Sequence, residues 1–318
     1  MNRPKVRIFT PYESVYSDKE ITDYVKLCYF NWDFSYDLVY GYDFDYAIVI
    51  TYTHDTGFKS IYNGSNLRNI IYFQYEPRIP VNSAVKKFLN SYKDNIFISY
   101  DMTRSNCMIM PVYNFNNIEK TNNNVVGIIS SKKRHIKNKH FINRLDFIFN
   151  CLYKIPLFDH VLTRDSSFED FKECKKTRYS NDSNIFKHLD HTKEEHIVSD
   201  NIKTFFDRKF KVYLDYKYAV HVESVYQPNF FTEKLIEPIM CECLCFYYGC
   251  PNADEYLDDR CFIRININDP NETIKIITNA INNNEWERRI EYIREEKKRI
   301  RENMAFPKIL EQLLYIYI

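Results

Sequence analysis

Glycine is nearly absent from this chain, with five residues in 318. That scarcity argues against a GxGxxG or Walker loop, because both use several glycines to bring backbone N–H groups up to a phosphate. Any phosphate site must then be made from side chains and helix N-termini. Long apolar runs are missing too: no segment approaches the roughly 18 consecutive apolar residues of a membrane span, so integral membrane association is not expected. The opening MNRPKVRIFTPYESVY has no apolar stretch of secretory length, and a cytoplasmic protein is the expectation. Nor is there an excess of either charge. With 44 basic and 43 acidic residues the net charge is +1, which gives no global pull toward nucleic acid or an acidic membrane. The nine cysteines form an odd set without regular spacing, which reads as free thiols in a reducing compartment rather than a disulfide framework.

What is present is the grammar of an α/β protein, in a chain long enough for two domains that each bury a core without staples. Lys5 to Thr10 reads as a strand, Asp18 to Phe30 as a helix with Ile21, Val25 and Cys28 on one face, and Tyr46 to Thr51 as a strand buried on both faces. Ile70 to Tyr75 is another strand, stopped at Glu76 by Pro77 and Pro80; a helix from Ser83 to Asn95 and a strand from Ile96 to Tyr100 follow. The chain then turns polar through Asn114, Asn116, Asn117 and Thr121 to Asn124. The same grammar resumes with a strand at Val125 to Ser130, a helix at Ile136 to Phe149, and a polar stretch from Asp165 to Asp200 with no element assigned. Strands at Tyr216 to Val222, Leu244 to Tyr248 and Cys261 to Ile267, and helices at Thr232 to Cys241, Glu285 to Asn303 and Phe306 to Ile318, complete the reading. The expected organisation is a domain over 1–118, a linker over 119–124, a second domain over 125–304, and a last helix over 305–318 that packs back on the first. Two such domains in series would set a cleft beyond the carboxyl ends of both sheets.

Several constellations carry chemistry. Cys241, Cys243, Cys245, Cys250 and Cys261 invite a zinc reading, but they lack paired C-x2-C knuckles, and small-residue core packing accounts for them at less cost. Asp43-Phe44-Asp45 has the pattern of a metal-chelating DxD, yet acidic residues at a strand entrance are commonplace. Lys132, Lys133, Arg134, Lys137 and Lys139 stand at a strand's carboxyl end, where they suit a diphosphate, a nucleic-acid backbone or simply a solvated helix start. Glu76, at a strand end, is a candidate general base or a solvated carboxylate. Thr232-Glu233-Lys234 opens a helix after an extended stretch; Thr is a good N-cap, Glu233 can accept from hydroxyls and Lys234 can neutralise phosphate, and the plain alternative is a capped helix with a surface ion pair. Pro238 is awkward inside that helix, at about 3 kcal/mol if truly internal.

The run from Tyr216 to Ser224, followed by Phe231-Thr232-Glu233-Lys234 and then Tyr248-Gly249-Cys250-Pro251-Asn252, resembles the donor-binding signature of the α1,3/4-fucosyltransferases, glycosyltransferase family 10. Upstream, Tyr72 to Glu76 with Pro80 resembles the family's Phe-Tyr-x-Gly-Glu-Asn-x-x-Pro. The resemblance implies a GT-B fold of two facing Rossmann-like domains, the second holding GDP-fucose and the first the glycan or glycoprotein acceptor. It implies inversion at the anomeric carbon with no cofactor and no metal. Carried over by position, Glu76 would be the base that deprotonates the acceptor hydroxyl, Glu233 would bind donor hydroxyls, and Lys234 would stabilise the diphosphate as it leaves. Glu223 and Thr232 fall within the donor signature, and Lys137, with Arg134 and Lys139 as rivals, takes the place of the family's arginine.

Three departures stand out. Ser224 replaces an asparagine, Phe230 a tyrosine, and Tyr75 the glycine before the glutamate. Losing two polar donor contacts leaves another nucleotide sugar open as donor, with fold and reaction unchanged. A non-catalytic nucleotide or nucleic-acid binding protein, working through residues 132–139, is the further alternative. The absence of a membrane span departs from the anchored eukaryotic members of the family and suggests a bacterial-like or viral enzyme.

Overall fold

The structure is a computed model that describes residues 3–9, 17–28, 33–51, 69–74, 96–101, 118–127, 144–162, 177–179 and 212–317, together with the single positions 87, 90, 92, 93 and 142. These residues divide into two compact units: those of 1–112 with 303–318, and those of 113–302. The helix expected over Ser83 to Asn95, apart from the single positions 87, 90, 92 and 93, the basic run 131–140, and Glu76 with its neighbours lie outside the described residues.

In the first unit, β1 (Lys5–Phe9) leads into α1 (Asp18–Cys28), then β2 (Asp37–Leu38), β3 (Tyr46–Thr51), β4 (Ile70–Gln74) and β5 (Ile96–Asp101). All pairings are parallel, in the order β2-β1-β3-β4-β5. The apolar runs dictate this. Ala47, Ile48, Val49, Ile70 and Ile71 are fully buried, as strands covered on both faces require. Ser17 and Glu20 start α1 as a reciprocal capping box: Glu20 N–H donates to Ser17 Oγ at 3.2 Å and Ser17 N–H to Glu20 Oε2 at 2.8 Å. The Asp43 and Asp45 carboxylates are both engaged by Lys5, at 2.6 Å from its Nζ and 2.7 Å from its N–H. They tie the entrance of β3 to β1. The last helix, α6 (Phe306–Tyr317), is counted with this unit, and its Glu311 accepts from Ser35 N–H at 3.4 Å.

In the second unit, β6 (Asn122–Gly127) is followed by α2 (Arg144–Asn150), β7 (Phe158–Leu162) and β8 (Thr177–Tyr179), and then by β9 (Tyr216–Val222), α3 (Glu233–Met240), β10 (Leu244–Tyr248) and β11 (Phe262–Arg264). Helices α4 (Pro270–Asn282) and α5 (Glu285–Asn303) follow. The six strands are parallel in the order β11-β10-β9-β6-β7-β8. Counted by appearance from the β8 edge this is the 3-2-1-4-5-6 order of a Rossmann sheet, with its reversal point between β6 and β9. Ligands of such sheets sit outside the carboxyl ends of the strands at that point.

Some boundaries differ from those read in the sequence. Strand β6 starts at Asn122 rather than Val125, because the polar run is used rather than left loose: Asn122 N–H donates to Asp215 O at 2.9 Å, and Asn124 Nδ2 to Asp159 Oδ2 at 3.1 Å. Lys120, within the stretch read as a linker, is buried and donates from Nζ to Tyr213 O at 2.6 Å. Strand β11 is only Phe262–Arg264, and α4 was not foreseen at all.

Cys241, Cys243, Cys245, Cys250 and Cys261 are free, fully buried thiols. Among the described residues no group of three His, Cys, Asp or Glu side chains is placed to hold a metal ion. Pro238 does lie inside α3. It removes the N–H that would bond Lys234 O, which is approached instead by the Cys245 thiol at 4.0 Å. The helix ends with Glu242 in the left-handed region (φ 60°) and the paired bonds Glu242 N–H to Ile239 O and Cys243 N–H to Pro238 O, the Schellman arrangement usually made with glycine. Ion pairs hold Glu242 there: its carboxylate accepts from Lys297 Nζ at 2.8 Å and Arg294 Nε at 3.3 Å.

Candidate functional site at the carboxyl edge of the second sheet

Glu223 is the residue immediately after β9, and its side chain is fully buried. An isolated buried carboxylate would be costly, so its oxygens must be satisfied. Thr232 does most of this: its N–H donates to Oε1 at 2.8 Å, and its hydroxyl lies 3.0 and 2.9 Å from Oε1 and Oε2. The Tyr247 hydroxyl donates to Oε1 at 3.3 Å while accepting from Cys250 N–H at 3.1 Å. Lys234 Nζ stands 3.5 Å from Oε2.

Thr232 is at the same time the N-cap of α3, its Oγ1 accepting from Lys234 N–H at 3.4 Å. Glu233 and Lys234 therefore occupy the first turn, where the helix dipole favours negative charge. Lys234 Nζ donates to Thr232 Oγ1 and to Glu233 Oε1, each at 3.0 Å. Glu223 and Thr232 are turned inward, whereas Glu233 and Lys234 keep 23% and 19% of their side chains exposed. Two groups thus reach solvent and two support them from behind.

Gly249 is needed here for space rather than for phosphate. A Cβ at that position would meet Glu223 Cγ at 2.3 Å and the Tyr247 hydroxyl at 2.6 Å. Only a residue without a side chain lets the strand-to-turn backbone pass over the buried carboxylate.

Burial pushes the Glu223 carboxyl above its usual range, opposed by Lys234 and by the Thr232 hydrogen bonds, and the Glu233 charge adds to the rise. For Lys234 burial acts to lower the ammonium, but Glu233 and Glu223 outweigh it and hold the group above its ordinary value. Arg144, at the first position of α2, joins the same electrostatic cluster. Burial lowers its guanidinium while Glu223 and Glu233 act against that. It is brought there by the bond from Ile142 N–H to Ser224 O at 2.9 Å, which ties the approach to α2 to the end of β9.

The structure therefore brings Glu223, Ser224, Thr232, Glu233 and Lys234 together. Phe230 adjoins them in sequence with its ring buried at 2% exposure, so it packs in the interior. Glu76, Arg134 and Lys137 lie outside the described residues. Sequence reading missed Arg144 and the purpose of Gly249. Arg144 falls inside the helix read from Ile136, and nothing in its spacing separates it from a solvated helical arginine. A glycine in a chain so poor in them was the available signal at position 249.

No protein-family model matches the chain, and no curated protein is significantly similar to it. Solved structures do resemble it. A glycosyltransferase from Rickettsia africae ESF-5 is similar over 100% of this chain and 98% of that one, at 11% identity and a TM-score of 0.52. An α1,3-fucosyltransferase is similar over 99% of this chain and 90% of that one (13% identity, TM-score 0.48), and sucrose-phosphate synthase from Thermosynechococcus elongatus over 86% and 74% (10%, 0.46). At these identities the likeness is one of fold alone. Two Rossmann-like units in one chain, with this likeness running through both, define the GT-B fold.

Proposed function

We propose that the protein is an inverting, metal-independent glycosyltransferase that moves fucose from GDP-fucose to a hydroxyl of a glycan acceptor. The observation that carries this reading is the assembly of Glu223, Thr232, Glu233, Lys234 and Gly249, all positions of the resemblance to family 10, into one connected cluster at the carboxyl edge of a Rossmann sheet. The similarity in fold to another glycosyltransferase supports it.

In this reaction the acceptor hydroxyl attacks the anomeric carbon from the face opposite the diphosphate, and the bond from that carbon to the leaving oxygen breaks. Glu76 takes the acceptor's proton. Glu233 accepts hydrogen bonds from donor hydroxyls. Lys234, with Arg144 beside it, neutralises the charge that develops on the departing diphosphate, and Arg134 and Lys137 belong to the basic run proposed to assist them. Glu223 and Thr232 act through Lys234 and are positioning residues.

A second reading keeps fold and reaction but changes the donor sugar nucleotide. It is favoured by Phe230, whose buried ring has no hydroxyl to offer. A thermal-shift panel of GDP, UDP and their sugars separates the two: stabilisation by GDP and GDP-fucose alone supports the first, by UDP-sugars the second, and by neither overturns both. Glu76→Gln should abolish transfer while nucleotide binding persists; turnover retained in that variant would remove Glu76 from the role of base.

A further inference from the structure

Beside the polar cluster, the same strand edge carries two aromatic rings that the proposed chemistry leaves unused. Tyr248 is the last residue of β10, and Glu223 N–H donates to its carbonyl at 2.9 Å, so the two residues are neighbours across adjacent strands. Side chains alternate along a strand. Tyr247 turns to the side of Glu223, and Tyr248 turns to the opposite side. There its ring meets Tyr226, four residues past the end of β9, with centroids 5.1 Å apart and planes tilted by 35°. Tyr226 is 55% exposed, so one face of the pair is open to solvent.

The pair is held in place from both flanks. Asn229 adopts a left-handed backbone (φ 60°) and is locked to Asn252: Asn229 N–H donates to Asn252 Oδ1 at 2.8 Å, and Asn252 Nδ2 donates back to Asn229 Oδ1 at 2.6 Å. The Tyr256 hydroxyl donates to the same Asn229 oxygen at 2.7 Å. These bonds fix the turn carrying Tyr226 against the turn that follows β10. The Tyr248 hydroxyl is engaged in turn by the Asn268 side chain, from the loop after β11.

We propose that Tyr226 and Tyr248 form the stacking platform for the base of the donor nucleotide. The proposal rests on the donor-site reading above and extends it to a part of the ligand that Glu233 and Lys234 do not touch. Only backbone separates the two faces at this edge, where Glu223 N–H bonds Tyr248 O, and a ribose carries a nucleotide's base away from its diphosphate. A donor lying across the strand edge thus has its diphosphate over Lys234 on one side of the sheet and its base over Tyr226 and Tyr248 on the other. Stacking reads the π-face and is tolerant of base identity. The platform therefore supplies affinity for a nucleobase in general, while the choice among bases falls to other groups.

The test compares GDP with inorganic pyrophosphate, which has the diphosphate but no base, by calorimetric titration of the full chain. Tyr226→Ala should weaken GDP binding about 10- to 100-fold and leave pyrophosphate unchanged, whereas Lys234→Ala should weaken both. Tyr226→Phe and Tyr226→Trp, which keep a ring, should bind GDP like wild type. A readout that needs no variant is the absorbance of bound GDP, which should show hypochromism on stacking. GDP binding unchanged in Tyr226→Ala, or wild type holding GDP no more tightly than pyrophosphate, overturns the platform and leaves the diphosphate site standing. Wild type that binds neither compound overturns the donor-site reading, and the platform with it.

Discussion

Arg7 in the first sheet and Glu223 at a strand end of the second are both buried charged side chains, and the two are treated differently. Arg7 lies in the middle of β1 at 5% exposure. Its guanidinium donates to Gly41 O at 2.6 Å, pairs with Asp18 at 3.4 Å, and sits over the rings of Phe9 and Tyr42 at 4.1 and 5.1 Å. Every one of these partners is local to the edge of the first sheet, so the charge is spent on holding β1, α1 and the 39–45 loop together. Glu223, at a strand's carboxyl end, is fully buried too, but one of its partners, Lys234, reaches partly into solvent. The difference is one of place along the strand. The charge buried at mid-strand braces packed structure, whereas the one buried at the strand end braces a group that reaches solvent.

That contrast can be broken in several ways. The largest effect should come from Lys234→Ala, with transfer falling on the order of 100- to 1,000-fold in steady-state assays as the leaving diphosphate loses its counter-charge. A comparable loss of melting temperature with unchanged turnover would instead make Lys234 a structural partner like Arg7. Next is Gly249→Ala: a Cβ 2.3 Å from Glu223 Cγ forces carboxylate or turn to move, at a cost of about 3 kcal/mol in denaturant unfolding together with a higher Kd for GDP. Arg7→Met should destabilise by about 1–2 kcal/mol, through the lost hydrogen bond and ring contacts, while kcat stays at the wild-type value.

The smallest effect is the pH dependence carried by Glu223. Burial raises its carboxyl above the ordinary 4.5, so between these values the folded chain keeps a proton that the unfolded chain has released. Its contribution to stability is present below the ordinary value and is lost as pH rises through the folded one. Wild-type stability relative to Glu223→Gln should therefore decline from pH 4.5 upward in chemical unfolding at a series of pH values. A rising difference would mean that Lys234 and Thr232, not burial, dominate that carboxylate.

The strands buried on both faces were legible as uninterrupted apolar runs: Tyr46–Thr51, Tyr216–Val222 and Leu244–Tyr248 stand where their composition puts them. Strand β7 was not, because Asp159 breaks the apolar pattern of FDHVL; that carboxylate accepts from partners distant in sequence, Tyr216 OH at 2.9 Å and Asn124 Nδ2 at 3.1 Å. Helix α4 had a local signal, Asp269 as N-cap accepting from Glu272 N–H with Pro270 in the first turn, hidden in an asparagine-rich stretch. In the site, Thr232-Glu233-Lys234 was legible because an N-cap and its first turn are contiguous in sequence. Arg144 and Gly249 were not. Their placement comes from the start of α2 and the ends of β9 and β10 meeting at one edge, which no local pattern encodes.

The C-terminal helix has a consequence for the order of synthesis. The first unit is discontinuous in the chain: its sheet is made from residues up to Asp101, yet Phe306–Tyr317 belongs to it, with Glu311 bonded to Ser35 across 276 positions. Domains tend to fold as they leave the ribosome, earliest residues first. Here the first sheet must wait for a helix translated after every strand of the second unit, whose described strands are all available once Arg264 has appeared. The earlier-made half of the protein is the later one to be finished, and until then it exposes the surface that α6 will cover.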